Sequence, residues 1–150
     1  MYSTRFGPLE ITPAQQWRCA EPLAGFEDLR DFALLHRAEQ GPFLWLQSLE
    51  IAELAFLLVE ARCFDLHYPA LADGAAMALY VMVILPRSSA EVLRVHRLAP
   101  VLFDASQGTF RQHVFEPEQV SGSGTWGDAL GSLAAAAAAA DSRVVQLSGA

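Results

Sequence analysis

Leu54-Ala55-Phe56-Leu57-Leu58-Val59 and Leu79-Tyr80-Val81-Met82-Val83-Ile84 decide the fold class. Each is a strand-length run rich in branched and aromatic side chains, and on a two-residue period both of its faces are apolar. Strands of that kind sit centrally in a sheet, covered on two sides. Phe43-Leu44-Trp45-Leu46 repeats the pattern after Gly41-Pro42, a pair that ends the preceding segment in a turn. Burying Phe43 and Trp45 contributes on the order of 2–3 kcal/mol each.

Outward from these runs lie more strand-length segments at close spacing. The expected strands are 3–6, 16–19, 32–36, 43–47, 54–60, 79–85, 93–97, 101–103 and 109–115. Leu93 and Val95 alternate with Arg94 and His96, the pattern of a strand with one wet face. Asp104-Ala105-Ser106-Gln107-Gly108 predicts a hairpin into 109–115, with Gly108 free to take a positive φ. Few long amphipathic helical segments interrupt the series, so the spacing predicts an all-β fold, a small barrel or sandwich of short antiparallel strands. One helical turn is expected over 25–30, where Glu27 and Asp28 would face the positive end of the peptide dipoles. Further single turns are expected at 48–53 and 71–77.

A chain of 150 residues is the size of one domain. Its 53% hydrophobic content and mean hydropathy of +0.24 are inflated by the alanine run 134–140. The longest apolar stretch, 75–85, is far shorter than the roughly 20 residues of a spanning helix, so no membrane span is expected. Residues 1–8 lack a basic segment followed by an apolar core, which makes the expected location the cytoplasm. A net charge of −7 would repel a phosphate backbone, and direct nucleic-acid binding is not expected. Cys19 and Cys63 lack metal-site or disulfide-framework spacing and read as buried thiols.

Composition changes at Ser121-Gly122-Ser123-Gly124, a flexible linker by its residues. The expected organisation is a folded domain over 1–118 and a Gly/Ser/Ala-rich tail over 119–150. Trp126, Leu130 and Leu133 recur at helical spacing ahead of the alanine run, which predicts a helix over 128–140. So short a helix is marginal alone. It is either docked on its own domain or partly disordered, and a partner-binding tail is the third option.

His36, His67, His96 and His113 have no ligand spacing, no GxSxG turn surrounds a serine, and without any lysine there is no phosphate-cradling GxxxxGK[ST] loop. No catalytic residue, metal ligand or cofactor is nominated, and the expectation is a protein that is not an enzyme.

Three segments together resemble the flagellar assembly factor FliW family. Leu23-Ala24-Gly25-Phe26-Glu27-Asp28-Leu29-Arg30 looks like its GFED-containing segment, Phe43-Leu44-Trp45-Leu46-Gln47-Ser48-Leu49 resembles its FLWLQS-type signature, and Leu98-Ala99-Pro100-Val101-Leu102 is similar to its LAP strand. Thr4 to Ile11 is similar to its N-terminal strand pair, so the likeness runs over about 3–116. It departs at His96-Arg97, where the family tends to carry Asn-Leu, at Ala61, where a proline is usual, and beyond Phe115.

The resemblance implies a non-catalytic β-barrel-like domain that binds flagellin and the RNA-binding translational regulator CsrA. Exported flagellin leaves the factor free to take CsrA, which then no longer represses flagellin synthesis. An acidic protein suits a basic partner. Expected partner-face residues are Glu50, Glu53, Asp65 and Tyr68, in or beside loops around the central strands, with His96 and Arg97. Of the signature positions Gly25, Phe26, Glu27, Asp28, Phe43, Trp45, Leu46, Gln47, Ala99 and Pro100, the expected duty is structural, and Phe26 and Trp45 are expected in the core. The free protein is expected to be a monomer. Two alternatives stay open, a diverged relative with another protein client and a small-molecule binder with a pocket near His96 and Tyr68.

Overall fold

The computed structural model describes residues 1–71, 77–84 and 93–147. Its strands are β1 (Tyr2–Thr4), β2 (Gly7–Leu9), β3 (Gln16–Cys19), β4 (Asp31–His36), β5 (Leu44–Ser48), β6 (Ala55–Glu60), β7 (Ala78–Ile84), β8 (Arg94–Val95), β9 (Val101–Asp104) and β10 (Thr109–Gln112), followed by helix α1 (Asp128–Ala140) and β11 (Val144–Gln146). Seven of them close into a barrel in the order β4-β3-β10-β9-β7-β6-β5, with β5 pairing back onto β4. Neighbours in this ring are antiparallel except β3 and β10, which run parallel.

The two-faced runs are central as expected. Leu44, Leu58 and Met82 stand opposite one another across β5, β6 and β7 and point to the barrel interior, while Trp45 and Leu57, one residue along, point outward. The interior holds Trp17, Phe32, Leu46, Val101, Phe103 and Phe110 among others. Outside the wall of β6 and β7, Val59, Val81, Phe64, Leu66 and Phe115 form a second cluster. Outside β4 and β5, the β1–β2 hairpin covers a third, with Phe6 and Leu9 packed on Ala33, Leu35 and Trp45.

The helical turn expected at 25–30 is not there. Residues 23–28 make two consecutive turns, closed by Phe26 N–H to the Leu23 carbonyl at 2.9 Å and Leu29 N–H to the Phe26 carbonyl at 3.1 Å. Gly25 at φ +86° breaks helical continuity, and the segment instead sends Leu23, Phe26 and Leu29 into the interior cluster. Residues 48–53 also form a non-helical turn. The Ser48 hydroxyl accepts the Glu50 and Ile51 N–H groups, and the Gln47 amide donates to the Ser48, Ala52 and Leu54 carbonyls. Most of 71–77 lies outside the described residues. Short 3₁₀ turns that no periodicity announced occupy Pro13–Gln15, Ala38–Gln40, Ala61–Phe64 and Pro117–Gln119.

Past residue 118 the chain folds back onto the barrel. Ser121 exchanges two backbone hydrogen bonds with His67, and the helix forms over the expected residues, burying Gly131, Ala134 and Ala138. Only small side chains stand at those three positions, so the helix axis lies close to the Ala61–Phe64 turn. β11 was not expected. It runs parallel to β4 and pairs with Leu34, Leu35 and His36, the half of that edge beyond the reach of β3, which pairs with Asp31, Phe32 and Ala33. Arg143 fixes its approach, donating to the Ala105 and Gln16 carbonyls at 2.7 and 3.1 Å with its guanidinium 4.1 Å from the Trp17 ring centroid.

Candidate partner-binding surfaces

The six expected partner-face residues do not form one surface. Glu50 and Glu53 lie in the β5–β6 turn, while Asp65 and Tyr68 follow the other end of β6, a separation of roughly 20 Å for a strand of this length. Arg97 joins the second group through its carbonyl, which accepts the Tyr68 hydroxyl at 2.5 Å. His96 stands apart, lining an open depression on the barrel wall with Arg5 and Trp45. Tyr68 lines different depressions from the one that His96 lines.

At the first end, the Glu50 carboxylate accepts the Arg30 and Asp31 N–H groups at 2.7 and 2.8 Å. This ties the β5–β6 turn to the segment before β4 and gives Glu50 a structural task. It also gathers Glu27, Asp28, Asp31, Glu50 and Glu53, all exposed, at one end of the barrel beside Arg30. Arg30 donates to the Glu27 and Leu29 carbonyls, and five carboxylates beside this one guanidinium make the end negative. The GFED segment contributes its acids to this face, a role that sequence reasoning did not give Glu27 and Asp28.

At the second end, Asp65 has φ +49° and accepts Ser123 N–H at 3.0 Å, the Ser123 hydroxyl at 2.9 Å and His67 Nε2 at 2.8 Å. The Ser123 backbone N–H, then the His67 side chain, hold its carboxyl at about 2, below the ordinary 3.8. A folded-state value below the unfolded one stabilises the folded form above about pH 4, and that contribution disappears as pH falls toward 2. Asp65→Asn is therefore expected to flatten the fall in stability between these limits. Urea midpoints at pH 5, 4, 3 and 2.5 check this, and parallel curves for the two proteins would refute it. Burial pushes the Tyr68 hydroxyl up to about 12, keeping it a donor to Arg97.

The sequence pattern of the FliW protein family matches residues 1–123. The chain belongs to the FliW family. The flagellar assembly factor FliW of Syntrophotalea carbinolica is 30% identical over 125 residues, covering 77% of this chain and 89% of that protein. That of Desulfitobacterium hafniense is 34% identical over 129 residues, covering 79% and 85%. The crystal structure of a flagellar assembly factor FliW shares the fold, with a TM-score of 0.67 at 22% identity over 81% of this chain and 92% of that one.

Within this FliW barrel the signature residues have visible duties. Phe26 packs edge-on against Phe56 at 5.3 Å, and Glu27 accepts Gly25 N–H at 3.3 Å. Leu46 and Gln47 are fully buried, and Gln47 Oε1 accepts Arg5 N–H, joining the β1–β2 turn to the β5–β6 turn. Phe43 stacks on Trp126, so a signature aromatic receives the C-terminal segment. The Ala99 and Pro100 carbonyls take the Gln112 side chain and His113 N–H, holding the LAP strand to the end of β10. Among the described residues no group of His, Cys, Asp and Glu is placed to hold a metal ion, and no helix is long and apolar enough to cross a membrane.

Proposed function

We propose that this protein serves flagellar assembly in the cytoplasm by binding, without catalysis. It holds flagellin and CsrA by turns and thereby relieves CsrA repression of flagellin synthesis. The observation that carries the CsrA half is the negative end built from Glu27, Asp28, Asp31, Glu50 and Glu53, which suits a basic RNA-binding partner. Membership of a family of flagellar assembly factors supplies the setting. Calorimetry of the purified protein against CsrA and flagellin of the same organism tests the proposal, and binding to neither would overturn it.

Charge reversal locates the face. Asp28→Arg with Glu53→Arg, both clear of the hydrogen bonds that Glu50 makes, is expected to slow association with CsrA about tenfold at low salt. The difference should shrink at physiological ionic strength, where exposed charges more than about 8 Å apart are screened. Stopped-flow association rates at two salt concentrations provide the check, and an unchanged low-salt rate would move the CsrA face elsewhere.

A further inference from the structure

The β1–β2 hairpin covers the outer barrel wall only as far as Arg5 and Phe6. Beyond Arg5 no described residue covers the apolar wall at a depression of about 300 Å³, whose outward-facing apolar side chains include Trp45, Leu57 and Val83, with Arg5 and His96 also lining it. Both basic side chains are exposed, and neither pairs with a carboxylate among the described residues. The Arg5 guanidinium lies 5.0 Å from the Trp45 ring centroid. Arg94 and Arg97, both exposed, flank His96 along the chain but line a separate depression, and 93–103 holds no acidic residue. Trp45 itself is only 9% exposed, and its indole N–H has no acceptor among the described residues. On a chain of net charge −7 this is an apolar groove with a basic rim, opposite in sign to the acidic end.

We infer that this groove docks an extended acidic-apolar segment of a partner protein, with aliphatic side chains on Leu57 and Val83 and flanking carboxylates toward Arg5 and His96. Charge selects the partner. A basic segment would meet Arg5 with like charge, whereas an acidic one gains both steering and ion pairing at Arg5 and His96. An aliphatic side chain suits the floor because Ala55, Leu57 and Val83 there are apolar. The inference goes beyond the exchange proposed above and needs neither of its partners. Its failure would leave the CsrA and flagellin calorimetry unaffected.

Three fluorescein-labelled decapeptides test it, each with a central leucine pair flanked by glutamates, by glutamines or by lysines. Against the full chain at low salt, anisotropy is expected to show the glutamate peptide binding at least about tenfold tighter than the glutamine one, and the lysine peptide not binding. Of the three tryptophan indole N–H signals, that of Trp45 should move while those of Trp17 and Trp126 stay. Arg5→Glu and, separately, His96→Glu should each weaken the glutamate peptide at least about fivefold with the melting temperature unchanged. Equal affinity for all three peptides, tighter binding of the lysine peptide, or full retention in both variants would overturn the inference. So would sedimentation showing self-association that Arg5→Glu abolishes, because the groove would then belong to a second copy of this chain.

Discussion

Replacing Phe32 by alanine is expected to remove about 3–5 kcal/mol of unfolding free energy, the usual cost of emptying a large buried aromatic site. Phe32 is completely buried at the start of β4, where that strand pairs with both β3 and β5. Its ring meets Phe110 edge-on at 5.2 Å, Phe110 stacks on Phe103, and Phe103 receives Trp17. A continuous aromatic column thus fills the barrel interior behind the four consecutive strands β4, β3, β10 and β9. Removing its end leaves a cavity that the closed ring of strands cannot collapse to fill. Urea denaturation of the variant measures the loss, with Ile51→Ala as control. Ile51 is 45% exposed in the β5–β6 turn and is expected to change stability by no more than about 0.5 kcal/mol. Comparable losses at the two positions would mean that the column does not carry the stability assigned to it.

The second large effect is expected from a single methyl group. Gly122 has φ +104°, and a Cβ placed there would stand 1.7 Å from the Asp65 carbonyl oxygen. The backbone conformation alone costs a non-glycine residue about 1–3 kcal/mol. The clash is with main chain, so 121–123 must move. That movement takes with it the paired hydrogen bonds between Ser121 and His67 and both Ser123 contacts to Asp65, each contributing about 0.5–1.5 kcal/mol. Gly122→Ala is expected to lose at least about 3 kcal/mol in total. It should also expose the start of the C-terminal segment to limited proteolysis. A melting temperature within a degree of the parent protein would refute this reading.

The strands were legible in the sequence where burial on both faces dictates the residues. β3 begins and ends at the expected residues, and β5, β6 and β7 lie within a residue of expectation because their apolar runs are too long for a one-sided strand. β11 was hidden for a physical reason. Val144-Val145-Gln146 follows an alanine run and is too short to carry a period, and its pairing depends on an edge of β4 left bare by β3, which no local pattern records. The expected break near 118 rested on the Ser/Gly composition of 121–124. Those residues are flexible by type, yet here Asp65 holds Ser123 and His67 holds Ser121.

The candidate surfaces were legible one residue at a time. Glu53 read correctly as an exposed acid, but Glu50 looked identical to it, and only the Arg30 and Asp31 N–H groups distinguish the two. The groove could not be seen at all, since Arg5, Trp45 and His96 come from three distant parts of the chain and meet only on the closed barrel.

The order of pairing along β4 bears on how the chain is made. β4 leaves the ribosome long before β11, and until β11 arrives the Leu34–His36 edge presents open backbone groups to any neighbouring strand. The ring can close without that segment, but the nascent barrel is adhesive until it docks. A translation product stopped within α1 keeps its sticky edge permanently, which places prematurely terminated chains of this protein among those prone to co-aggregate during heavy synthesis.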